Sequence, residues 1–153
     1  MRKILTTTVL VGFMVASAWA ALNFKSGPEF TQSGNTFHLT AEASGQGNTR
    51  MIATITVTGL ADYDCRNNGG QIVAAQSPAQ LSNTGSQNVN SDHNGRSVVD
   101  LTVSLVIPAT VPGKSVGCPN GNWTGVNPHN VRDLSATGTI TFGGAVVFTE
   151  TLP

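Results

Sequence analysis

Oxygen side chains recur at alternate positions in Asn90-Ser91-Asp92-His93-Asn94-Gly95. This resembles the front half of a calcium loop, where ligands return to one ion and a glycine permits the sharp turn. The candidate set is Asn90, Asp92, Asn94 and Asp100. It departs from the pattern at both ends. The first position is Asn rather than Asp, and the twelfth is Leu101, where a bidentate acid is required, with Asp100 one place early. An Asn-Gly hairpin turn ahead of a strand accounts for the same residues without a metal, and it is the preferred reading.

A second acidic cluster is Asp62-Tyr63-Asp64, followed by Asn67 and Asn68. Arg66 stands where a further ligand is wanted and is placed to pair with Asp62 or Asp64 instead. The three histidines, His38, His93 and His129, are far apart, carry no ligand spacing and read as exposed side chains. No pair of acids stands out as a catalytic pair. Gly45-Gln46-Gly47-Asn48 lacks the third glycine and the following helix of a phosphate-binding loop, and reads as a turn between strands. Trp123 and Tyr63 suit either a sugar-stacking platform or core packing beside a cysteine, and core packing is the commoner use. The expectation is a protein without catalytic residues and without a cofactor.

The segment ahead of these residues sets the compartment. Arg2 and Lys3 precede an apolar stretch from Val9 to Val15, and Ala18-Trp19-Ala20 supplies small residues where a signal peptidase reads. Residues 1–20 are therefore expected to be an export signal cleaved before Ala21, too short an apolar run to span a bilayer. A secreted or periplasmic destination follows, with residues 21–153 as one domain and no membrane span after cleavage. In an exported chain the two cysteines, Cys65 and Cys118, are most simply one disulfide.

Composition narrows the partners. Removing Arg2 and Lys3 from eight cations leaves six against eight carboxylates, a formal −2. No basic patch exists, so a nucleic-acid partner is not expected. Between residues 21 and 153 the Lys and Glu residues are only Lys25, Lys114, Glu29, Glu42 and Glu150, and no helical apolar spacing appears.

Thr- and Val-rich runs alternate with period two instead, over 36–43, 51–58 and 97–107. Residues 134–142, the Gly143-Gly144 turn and 145–151 form a hairpin signature. Shorter strand candidates are 29–33, 61–66, 86–89 and 123–126. About eight short strands, apolar on one side, predict an all-β fold, an antiparallel β-sandwich of immunoglobulin-like type with one disulfide. Residues 67–85 and 108–121 are left as long irregular loops, each abutting a cysteine.

Three segments carry a resemblance: Cys65-Arg66-Asn67-Asn68-Gly69-Gly70, Gln76-Ser77-Pro78-Ala79 and Gly117-Cys118-Pro119-Asn120-Gly121-Asn122-Trp123. The chain resembles a group of small secreted bacterial proteins sharing Cys-x-Asn-x-Gly-Gly and Gly-Cys-Pro-Asn-x-Asn-Trp segments. The resemblance implies the cysteine pairing and the β fold, and no biochemical role. The functional expectation is an exported, non-enzymatic binding or surface-structural module whose partner is an extracellular or periplasmic protein or glycan. A pilin-like assembling subunit is one alternative; a hydrolase or hydrolase inhibitor is another.

Overall fold

The computed structural model describes residues 22–153, so the expected export signal and its cleavage point lie outside the described residues. Nine strands and one 3-10 turn make up the regular structure among them. The fold is an antiparallel all-β sandwich. The smaller sheet pairs β1 (Asn23–Ser33) with β2 (Thr36–Ser44) and β2 with β6 (Arg96–Ser104). In the larger sheet two long central strands run side by side, β3 (Met51–Arg66) and β8 (Thr124–Phe142).

Shorter strands share their outer edges. The free edge of β3 is covered by β5 (Ala79–Val89) along its first part and by β4 (Ile72–Ala74) at its end. The free edge of β8 carries β7 (Val111–Pro112) near its start and β9 (Ala145–Leu152) near its end.

Period-two alternation explains these strands physically. Successive side chains point to opposite faces, so every second residue of β2 and β3 can enter the core. Phe37 and Leu39 in β2 and Met51, Ala53, Ile55 and Val57 in β3 are all 0 % exposed. Each large apolar side chain so buried contributes about 1.5–3 kcal/mol. Between the sheets they pack with Phe30, Val99, Val103, Ile140 and Phe142 into the main core. In β3 the alternation continues unbroken through Ala61, Tyr63 and Cys65 into a second, smaller core with Ala79 and Val116.

The disulfide belongs to that second core. Cys65 and Cys118 are bonded, with Cα atoms 5.6 Å apart. The bond ties the end of β3 to the segment after the 3-10 turn Gly113–Val116. Trp123, half-buried, packs on the same cluster, and the Tyr63 hydroxyl donates to the Pro108 carbonyl at 2.7 Å. Both aromatic side chains thus serve packing here.

Two expectations about the strands need correction. Runs 51–58 and 61–66 are one strand, as are 123–126 and 134–142 within β8. The segment 67–85 is not one long loop, because β4 and the first seven residues of β5 fall inside it. The inward positions of β5 include Asn83, Gly85 and Gln87, which do not read as apolar. They lie at the seam between the sheets, where the Asn83 side-chain amide donates to the Ser104 carbonyl at 2.8 Å and Gln87 Oε1 accepts from the Asp100 N–H at 2.9 Å. At Gly85 a Cβ would drive into Val103 Cγ2, so the close approach of β6 requires glycine.

Candidate functional site

Beyond Thr58 the two central strands advance at different rates. Thr58, Leu60, Asp62 and Asp64 of β3 stand opposite Ser135, Arg132, His129 and Val126 of β8. Two residues of β3 therefore meet three of β8, three times in succession, which is a run of β-bulges. The extra residue is accommodated by left-handed backbone at Asn127, Asn130 and Asp133, with φ of 52°, 50° and 51°. Asn and Asp are the non-glycine types that enter this region most readily, so their three-residue spacing suits the bulged strand.

The bulges gather polar side chains on the outer face of the larger sheet. Asp62 Oδ2 accepts from Arg132 Nη1 at 2.6 Å and from the Asn130 amide at 2.7 Å. Asp64 Oδ2 accepts from the Asn127 amide at 3.2 Å. His129 Nδ1 donates to the Asn127 carbonyl at 2.8 Å, which in the neutral ring leaves Nε2 as the acceptor nitrogen. The Asp62 carboxyl is held below its ordinary range, first by the Arg132 hydrogen bond and then by Asn130, and Arg132 is raised in turn by Asp62. Asp62 is thus an ionised, doubly bonded carboxylate rather than a proton donor near neutrality.

Two open grooves flank this cluster. One, of about 470 Å³, lies at its β5 side and is lined by Gly59, Leu60, Gln80 and Asp133 among others. The other, of about 360 Å³, lies at the end of β3 between Arg66, Asn67, Asn68 and Thr124. Ile72, 52 % exposed, stands opposite Arg66 on the same face. The surface therefore offers fixed donors, fixed carboxylates and some apolar area on rigid strands. That is chemistry suited to recognition.

The residues of the calcium-like segment are distributed differently. Asp92 Oδ1 accepts the backbone N–H groups of Asn94 at 2.8 Å and Arg96 at 2.9 Å, capping its own hairpin turn. Those bonds hold its carboxyl below the ordinary range, the Arg96 N–H first. Asp100 lies four pairs along β6 from Arg96, about 13 Å away, and its Oδ1 is 2.7 Å from His38 Nε2. Asn90 lines a groove with Gln46 and Ser91. Among the described residues no group of three or more His, Cys, Asp or Glu side chains is placed to hold a metal ion. His38 is half exposed, and His93 and His129 are exposed. The cation on Asp62 is Arg132, not Arg66.

Sequence reasoning missed Asn127, Asn130 and Arg132, whose one signal was Asn-x-x-Asn-x-x-Asp leading into the strand run from Leu134. It also read Gln46 only as a turn residue. Gln46 is 4 % exposed; its amide donates to the Val89 carbonyl at 2.7 Å and the Thr49 carbonyl at 2.9 Å, and its Oε1 accepts from the Ser97 hydroxyl. Among the described residues no helix is long and apolar enough to cross a membrane. Comparison with known protein families, with characterised proteins and with solved structures returns no match.

Proposed function

We propose that the chain is an exported, non-enzymatic module, immunoglobulin-like in its layering, that binds an extracellular or periplasmic protein or glycan. The reading takes export from the first twenty residues and from the resemblance to small secreted bacterial proteins. The observation that carries the binding role is the triple bulge. It costs left-handed backbone at three non-glycine residues and sets Asp62, Asp64, Asn127, Asn130 and Arg132 on one outer face. The main core ends before the bulges, whose inner side covers the second core at Ala61 and Tyr63 while the polar side chains face outward. Two grooves beside the cluster give a partner apolar and polar area to fill.

The test is a screen of the mature protein against immobilised bacterial and host glycans and cell-envelope proteins. An Asn130→Ala/Arg132→Ala double variant is run beside it. The proposal expects one class to be retained by the wild type and released by the variant. Equal retention of both proteins would remove this face from the account.

A further inference from the structure

We propose that the other half of the same outer face adsorbs to the ordered water lattice of ice. Ahead of the bulges, hydroxyl side chains line up in register across four strands. One row runs Ser86, Thr54, Thr139 and Thr149; the next runs Thr84, Thr56, Thr137 and Thr151. Each strand position is the second residue after the last, so the rows share one face. Within rows the hydroxyls are pinned in pairs, Thr56 to Thr84 at 3.1 Å, Thr54 to Ser86 at 3.2 Å and Thr137 to Thr151 at 2.9 Å. A hydroxyl offers one donor and two acceptor sites, so each pair still presents bonding capacity outward beside its methyl groups.

The net is set by strand geometry, about 4.8 Å between strands and about 6.7 Å along them. Water oxygens on the prism face of hexagonal ice repeat on a rectangular net of similar dimensions. Neighbouring strands are turned by about 20–25°, so the match is closest between the central pair, β3 and β8. Those two strands set Thr54, Thr56 and Thr58 beside Ser135, Thr137, Thr139 and Thr141.

Charge and shape select this occupant over others. The flanking rows, Asn88–Ile52–Thr141–Val146 and Ser82–Thr58–Ser135, are also uncharged, so four successive rows carry neither a charge nor an aromatic ring. The high strand propensity of Thr accounts for some of these residues. Lys and Glu are sparse along the whole chain, and none of the five between residues 21 and 153 falls on these rows. Charge enters only at the margins, where Arg50 Nη2 donates to Asn88 Oδ1 at 3.2 Å and Asp133 lines a groove with Thr58 and Ser82. An anionic polymer or a charged protein thus meets no countercharge within the two central rows. A crystalline polysaccharide meets no ring to stack on, because Trp123 and Tyr63 are packed in the second core. An uncharged lattice of water is the complementary partner.

The experiment is ice recrystallisation in frozen sucrose, followed by microscopy, with serum albumin at equal concentration as control. Wild-type mature protein is expected to arrest grain growth. Thr139→Lys is expected to abolish the arrest while its circular dichroism and melting temperature match wild type. Should that variant fail to fold, Thr84→Lys on the exposed neighbouring strand is read in its place, with the same loss expected. Grain growth equal to the albumin control, an unaffected Lys variant, or retention on crystalline cellulose without arrest of ice would each overturn the proposal. The Asn130→Ala/Arg132→Ala variant should arrest ice normally, which separates this face from the charged cluster.

Discussion

Arg132 Nη1 lies 2.6 Å from Asp62 Oδ2, although 70 residues separate them in the chain. The contact exists because β8 spends three residues where β3 spends two. A regular ladder would set a different β8 residue opposite Leu60 and carry Arg132 away from Asp62.

This pair gives the domain an acid-sensitive element. Its folded carboxyl lies below the ordinary value, so its stabilisation is present above the unfolded value of about 3.9 and is lost as pH falls through the folded value. The variant Asp62→Asn should be less stable than wild type at pH 7. The difference should close progressively as pH falls below about 4. Urea unfolding across that range checks it; a difference independent of pH would contradict the assignment.

The disulfide closes 53 residues, worth about 4 kcal/mol in the chain-entropy account. It joins only the second core, while the main core holds its own set of large buried side chains. The Cys65→Ser variant should therefore stay folded at 25 °C, with hydrogen-exchange protection and protease resistance lost first between 105 and 123. Uniform loss of protection across β2 and β3 would show that the two cores stand or fall together.

Gln46 stitches the turn between β2 and β3 to β5 and β6. A Gln46→Leu substitution leaves the Val89 carbonyl short of a donor and removes an acceptor from Ser97, which is 0 % exposed. Unsatisfied buried groups cost about 1–3 kcal/mol, and a fall of that size in urea stability is expected. No change would mean that water replaces the side chain.

The all-β class, the terminal hairpin and the Asn-Gly turn were legible because alternation and turn chemistry are local signals. Phe37, Leu39, Met51 and Ile55 declare their inward faces by spacing alone. The end of β5 was legible as the strand candidate 86–89, but residues 79–85 were hidden because inward residues such as Asn83 and Gly85 bridge a seam rather than fill a core. The bulged half of β8 was hidden because its period is three, which matches neither strand nor helix. Asp62 and Asp64 were visible as a cluster, but Arg132 and Asn130 could be joined to them only by a register that the chain does not write locally.

On the proposed function, the bulged face of β3 and β8 is a preformed recognition surface. The most direct measurement is an amide chemical-shift map of isotope-labelled mature protein, titrated with the glycan or envelope protein retained in the screen. Shifts are expected to concentrate at Asp62, Asp64 and Asn127 to Arg132, with the threonine rows unmoved. Shifts confined to residues 67–78 or to the β1 edge, with the bulged face silent, would contradict it.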